Sequence, residues 1–384
     1  MTNTRAGRLT RQPAGYRAFV PEGLPPTDLR LDTDLLALVS RADRELGRLD
    51  GAVAVVPDPD LFVMQFARRE AVLSSQIEGT HASVMDVLEY EAEIGAREAT
   101  VDVREVTNYL AAMRHGLERL ATLPLWRRLL CEVHEVLMRG VRGGEPDKTP
   151  GEVRRSQNWI GGASPATAKF VPPPHELVGD LFADLDRFLH DDEPMPPLIK
   201  VGIAHAQFET IHPYNDGNGR LGRLLITFWL VEREILTRPL LYPSLYFKEH
   251  RDEYVDRLQA IREDGAWEAW LRFFVDAIGQ VAKEARETAA QIFALRERDR
   301  ARISEALGRR SANALALHDY LFRLPVTTAK QVEDIVGVSQ PTASALVRDL
   351  EQFGLIEEVS GRQRRRVYVY REYLDLFPGV TSRG

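Results

Sequence analysis

The chain has 384 residues, 44% hydrophobic and 28% charged, a net charge of −7 and one cysteine. The length exceeds one ordinary domain and predicts two or three units with a substantial core. The acidic balance excludes a surface coated all round for nucleic acid, and the lone Cys131 excludes both an intrachain disulfide framework and a cysteine-rich zinc module.

In chain order, residues 1–28 are rich in Arg, Pro, Gly and Thr without periodicity and read as a flexible N-terminal arm. They lack the apolar core of a signal peptide, and nowhere do about 18 apolar residues run together, so a cytoplasmic protein with no membrane contact is expected. From LDTDLLALVSRADRELGRL onward, apolar residues recur every three or four positions, predicting a helical region over 29–112. The run LWRRLLCEVHEVLM opens a second helical region, 113–300, in which Cys131 reads as a small buried hydrophobe. Within that region, residues 151–177 (GEVRRSQNWIGGASPATAKFVPPPHEL) break the pattern and predict a β-hairpin or flap. Residues 308–377 change character again. There a helix (AKQVEDIV), a Gly-Val-Ser turn, a second helix (PTASALVRDLEQFG) and two β-prone pieces around SGRQRR resemble a winged helix-turn-helix. The fold class expected is mainly α, with a small α+β unit at the C-terminus.

The chemistry concentrates in HPYNDGNGRLGRLL, residues 212–225. Pro213 ends the preceding helix at His212, Gly217 and Gly219 suit a loop, and the spacing of Leu221, Leu224, Leu225 and Phe228 restarts a helix. A glycine loop feeding a helix N-terminus offers free amides and the positive end of the dipole to an anion. Arg220 and Arg223 share a face in that first turn, where each cation costs about 0.3–1 kcal/mol unless an anion is present. Two guanidiniums and several amides suit a chain of phosphates. Asp216 fits beside it as ligand to a hard cation such as Mg2+, and His212, titrating near neutrality, fits a general base. The sequence contains no GxxxxGK[ST] loop, GxGxxG fingerprint, HExxH or GxSxG.

HPYNDGNGRLGR resembles the signature of the Fic family, HxFx(D/E)GNGRxxR, with Tyr214 at the usual phenylalanine. The resemblance extends over roughly residues 30–280. It implies a Fic-type helical core with a β-hairpin flap, and transfer of AMP from ATP to a Ser, Thr or Tyr hydroxyl of a protein, with release of pyrophosphate. By the same resemblance His212 is the catalytic base and Asp216 holds Mg2+. Gly217, Asn218 and Gly219 cradle phosphate, with Leu221 and Gly222 in the same turn, and Arg220 and Arg223 grip the β- and γ-phosphates. Lys169, Phe170, Val171 and Pro172 of the flap would align the acceptor segment, although KFVPPP reads equally as a rigid connector. Tyr246 and Tyr254 are candidates for adenine, against the alternative that helical aromatics are core.

SSQIEGT, residues 74–80, looks like the family's inhibitory motif (S/T)xxxE(G/N), carried by Ser74, Glu78 and Gly79. Gly79 reads as a helix stop that leaves Glu78 facing the negative dipole end, where it wants a cation. Pairing with Arg223 would satisfy both charges and occupy the guanidinium that the γ-phosphate needs. In the C-terminal unit, Gln340, Thr342 and Ser344 suit base contacts, and Arg362, Arg364, Arg365 and Arg366 suit phosphates. DNA binding and protein docking both remain open there. Other readings are removal of AMP or transfer of another phosphate-linked group at the same site, and a DNA-binding regulator that only senses nucleotide. Family analogy implies a homodimer.

Overall fold

The computed structural model describes residues 5–54, 60–92, 99–308 and 311–377. Strands β1 (Gly7–Arg11) and β2 (Arg17–Pro21) form an antiparallel hairpin pairing Gly7 with Pro21 and Arg11 with Arg17. This corrects the expected flexible arm over the described part of residues 1–28. A two-stranded hairpin is marginal alone, but this one is docked. Ala18, Phe19 and Val20 are buried, and the Phe19 N–H donates to the Val171 carbonyl at 2.9 Å. Arg5 also bonds the Gly265 carbonyl at 2.8 Å and pairs with Glu268. Burying a Phe or Val side chain stabilises by about 1.5–3 kcal/mol.

Helix α1 (Thr33–Ala54) buries Leu35, Val39, Ala42, Leu46, Leu49 and Val53, one face at helical spacing. Helix α2 (Asp60–Ile77) is followed by α3 (Val84–Glu91), whose capping box joins Ser83 and Asp86, and by α4 (Val101–Leu120), capped by Thr100. Next come α5 (Arg127–Leu137), α6 (His175–His190), α7 (Pro197–Ile211) and α8 (Asn218–Glu232). Two short helices, α9 (Ser244–Glu249) and α10 (Arg251–Asp264), lead into α11 (Trp267–Leu307). The centre of the core is α7, where every residue from Leu198 to Ile211 is buried. It packs against α6, α8, α10 and α11, and α11 also lies along α1. Both α4 and α11 run unbroken through positions 112 and 300, where the sequence expectation divides the chain.

The expected flap hairpin reduces to one antiparallel bridge, in which Ile160 and Phe170 exchange N–H and C=O at 2.9 and 3.2 Å. Pro172, Pro173 and Pro174 carry no N–H with which to lengthen a ladder.

The C-terminal part holds α12 (Ser311–Arg323), β3 (Val326–Thr328), α13 (Ala329–Val336), α14 (Gln340–Gln352), β4 (Glu357–Glu358), β5 (Val367–Val369) and α15 (Arg371–Leu374). Its strands form an antiparallel sheet in the order β3-β5-β4. Bonds from both α11 and α2 fasten it to the rest. Buried Asp299 of α11 accepts the Tyr370 hydroxyl at 2.5 Å, and Arg68 of α2 donates to the Arg323 carbonyl at 2.8 Å.

Candidate active site

Helix α7 ends on His212, which has φ 50° and ψ 61°, the left-handed region that a side chain with a Cβ rarely adopts. Such a residue persists only when its surroundings over-determine it. The His212 N–H donates to the Phe208 carbonyl at 2.9 Å, while the His212 carbonyl accepts from Arg154 Nε at 2.9 Å and Asn158 Nδ2 at 3.3 Å. The Arg154 N–H donates to the Pro213 carbonyl at 2.9 Å. The imidazole is pushed down to about 3, first by burial and then by the Arg262 and Arg154 guanidiniums. It is therefore a neutral ring at physiological pH rather than one titrating near neutrality. Its Nδ1 is buried without a hydrogen-bond partner.

The loop that follows is closed by its own asparagine. Asn218 accepts the Tyr214 N–H at 2.9 Å and donates back to the Tyr214 carbonyl at 2.8 Å. Its side chain is thus spent on shaping the loop, which leaves its main chain to face a ligand. Buried Tyr214 stacks on His134 with centroids 3.9 Å apart, so the aromatic at this position is an anchor. His134 takes the Gly151 N–H on Nδ1 at 2.8 Å, which places its proton on Nε2, the donor to the Asp216 carbonyl at 3.0 Å. Burial pushes this ring down to about 4 and keeps it in that neutral form. Gly217, at φ 75°, caps α8 in a conformation that glycine adopts freely. The Gly217 N–H donates to the Asp216 carboxylate at 2.6 Å, and burial raises that carboxyl. Leu221 and Gly222 are buried in the first turns of α8.

Arg220 is 3% exposed, and its Nε and Nη1 have no hydrogen-bond partner. Glu105 and Asp216 lie 3.8 Å from it. With the first amides of α8, which have no intrahelical acceptor, these orphaned donors make a site prepared for an anion. Arg223 is 1% exposed and engaged through two of its nitrogens: Nε donates to Ser74 Oγ at 2.7 Å, and Nη2 to the Ser74 carbonyl at 2.9 Å and to Glu78 at 2.8 Å. Helix α2 stops as its sequence suggests. Gly79 has φ 95°, and the Glu78 N–H turns back to the Ser75 carbonyl at 3.0 Å. Burial tends to raise the Glu78 carboxyl, but Arg223, Arg220 and His212 together hold it below the usual range. Its side chain remains 40% exposed. A Cβ on Gly219 would lie 2.3 Å from Glu78 Oε1, so the carboxylate sits directly over the N-terminal turn of α8, in the space that an incoming anion needs.

The other expected residues are more scattered. Lys169 is exposed, whereas Phe170, Val171 and Pro172 are buried, and the Val171 and Pro172 carbonyls already serve Phe19 and Gln157. Arg262 lies over the Phe170 ring at 3.8 Å. Together with Phe19, Lys169 and Phe170 it lines a groove of about 620 Å³ between hairpin and flap. Tyr254 is no adenine platform: it is 4% exposed, its hydroxyl meets His205 at 2.9 Å, and its ring stacks on Phe247 at 4.6 Å. Tyr246 stacks on His250 at 4.0 Å and lines a different surface cleft, with Leu38, Arg257 and Asp276. Gln340 and Thr342 are exposed at the start of α14 and Ser344 is half-buried, while Arg362, Arg364, Arg365 and Arg366 are exposed between β4 and β5. Among the described residues, no group of three or more His, Cys, Asp or Glu side chains could hold a metal by itself, and no helix is long and apolar enough to cross a membrane.

Residues 36–118 match the family described as Fic/DOC family N-terminal, and residues 124–230 match the Fic/DOC family. A protein named probable protein adenylyltransferase aq_aa38 from Aquifex aeolicus is 35% identical over 96 residues, 25% of this chain and 28% of its own length. The protein adenylyltransferase Fic of Culex quinquefasciatus is 34% identical over 149 residues, 38% of this chain and 26% of its own. The alignments thus span about a quarter of the length of these curated relatives. In fold, the chain is similar to a Fic family protein from Desulfovibrio desulfuricans G20, with TM-score 0.58 and 20% identity over 89% of this chain and 97% of that one. Fic-1 of C. elegans follows at TM-score 0.50 and 17% identity, over 68% of this chain and 74% of its own. Two successive stretches of the chain, 36–118 and 124–230, are thus similar to the N-terminal and main domains of the Fic/DOC family.

Proposed function

We propose that this chain transfers AMP from ATP to a Ser, Thr or Tyr hydroxyl of a protein, and that the Glu78–Arg223 pair restrains it at rest. The observation that carries this reading is the neutral His212 beside an α8 N-terminus where Arg220 Nε and Nη1 have no hydrogen-bond partner and Arg223 is held by a displaceable carboxylate. The names of the relatives, protein adenylyltransferases, support the same activity. Phosphate oxygens settle on the α8 amides, Arg220 and, once Glu78 moves away, Arg223. The acceptor hydroxyl attacks the α-phosphorus, His212 takes its proton, and the bond to pyrophosphate breaks. The flap and the adjoining groove suit the acceptor segment.

Asp216 is the residue that would hold magnesium. One carboxylate completed by substrate phosphates fits this ion, and when bound it neutralises phosphate charge. For the C-terminal part, α13, α14 and the arginine-bearing connection from β4 to β5 support a winged-helix reading with DNA as ligand. A salt series tests that reading, since groove binding weakens steeply as salt rises.

The test of the main reading is α-labelled ATP incubated with native lysate and with the chain alone. Label appears on protein, rises in Glu78→Gly and vanishes in His212→Ala. Protein that stays unlabelled with Glu78→Gly refutes AMP transfer. Loss of label from already modified protein would assign the reverse reaction instead.

A further inference from the structure

Arg154 lies 58 residues before His212, outside the glycine loop, and is 2% exposed. None of its hydrogen bonds goes to a carboxylate. Instead its guanidinium donates to four main-chain carbonyls: His212 at 2.9 Å and Ile211 at 3.4 Å at the end of α7, and Ser156 at 3.0 Å and Pro173 at 2.6 Å on the flap. Burial outweighs the attraction of Tyr16 and Glu176, neither of which Arg154 hydrogen-bonds, and pushes this guanidinium down to about 10. A structural crosslink could be made with a neutral side chain. What a planar cation adds is a rigid fork that reaches carbonyls of two segments at once and places positive charge beside the ring.

We propose that Arg154 is a positioning residue for the transfer reaction: it holds the His212 main chain in its left-handed conformation and fixes the flap relative to the imidazole. The kinetic part of this proposal rests on the AMP-transfer reading; the conformational part does not. Asn158 secures the same carbonyl from the flap side at 3.3 Å and also the Tyr214 carbonyl at 2.8 Å. The charged groups facing His212 are Arg154 from the flap, Arg262 from α10 and Glu78 from the end of α2, while Glu209 of α7 acts on the ring through its main chain rather than its carboxyl. Arg154 and Arg262 disfavour protonation of the ring, so loss of Arg154 charge shifts the acid limb of the rate profile to higher pH.

The experiment uses the full chain carrying Glu78→Gly, with Arg154→Gln, Arg154→Lys and Asn158→Ala added singly. In Arg154→Gln, kcat falls about tenfold to a hundredfold, as expected when a reacting group is misplaced by about 1 Å. KM for ATP stays within twofold, and the acid limb of the kcat profile moves up. Arg154→Lys keeps the charge and hence the parent acid limb, but it lacks the fork and leaves kcat low. In a crystal structure of Arg154→Gln, His212 leaves positive φ or the Ile160–Phe170 bridge opens. A kcat within twofold of the parent, ATP affinity falling in step with kcat, or full rescue by lysine overturns the proposal. If Arg154→Gln does not fold, Asn158→Ala decides: reduced kcat at unchanged KM supports the assignment, and unchanged kcat overturns it. Should the Glu78→Gly parent fail to label protein, AMP transfer is what has failed, and the His212 backbone in the Arg154→Gln crystal still judges Arg154.

Discussion

Replacing Glu78 with glycine should tighten ATP binding by an amount that follows from the pair. On the proposed reading, a triphosphate displaces a carboxylate that accepts one bond from Arg223 at 2.8 Å and covers Gly219. A hydrogen bond to a charged group contributes about 1.5–3 kcal/mol when buried. Because 40% of the Glu78 side chain is exposed, solvent screening lowers the expected figure to about 1–2 kcal/mol. That corresponds to about a fivefold to thirtyfold gain in affinity. Arg223 keeps both bonds to Ser74, so the site itself stays formed. The assay is isothermal titration of ATP into Glu78→Gly and its parent, both carrying His212→Ala so that no turnover intrudes. Equal affinities, or weaker binding in the glycine chain, would refute the idea that Glu78 competes with phosphate for Arg223.

Three further outcomes are expected. His318 is fully buried with neither ring nitrogen partnered, and burial holds it at about 4, against 6.5 unfolded. The unfolded chain therefore takes up this proton first, and stability is lost as pH falls through that window. His318→Leu should gain about 2 kcal/mol more over the parent at pH 5 than at pH 8, as read from urea melts, and a pH-independent difference would contradict the linkage. Gly116→Ala places a Cβ 2.2 Å from the Phe228 ring, wedging α4 from α8, and should cost about 1–3 kcal/mol in the same melts; Gly47→Ala, in open space on α1, should not destabilise. Asn218→Ala removes both bonds that close the loop on Tyr214 and should weaken ATP binding about tenfold or more, measured by titration, with little loss if the loop is held elsewhere.

What could be read in advance was whatever is local. Helical spacing exposed the long helices that bury a stripe, such as α1, whereas α7, buried on every side from Leu198 to Ile211, was legible as a helix but not as the centre of the core. The loop from His212 to Arg223 was marked by glycines and misplaced cations at a helix start, and the Glu78–Arg223 contact by the resemblance of SSQIEGT to an inhibitory motif, with the charge at the helix end pointing the same way. The hairpin at residues 7–21 escaped, since its stability comes from docking Phe19 on the flap rather than from its own composition. Its one local signal was the Pro13-Ala14-Gly15 turn between two short β-prone pieces. Arg154, Asn158 and His134 escaped for a related reason: the bonds that tie them to the loop after α7 go to main-chain atoms 54 to 82 residues away, which no side-chain pattern records. Tyr254 stayed open between two readings because an aromatic on a polar helix looks the same whether it faces ligand or core.

Helix α2 joins two places that are remote in sequence. Gln65 and Arg68 near its start hold the Arg323 carbonyl at the end of α12, Glu70 takes the Tyr109 and Ser244 hydroxyls, and Ser74 and Glu78 at its far end hold Arg223. From Arg68 to Glu78 is about 15 Å of helix, too short and stiff to absorb much displacement. One continuous helix thus carries, within a few turns, both the bonds that hold the end of α12 and the bonds that hold Arg223.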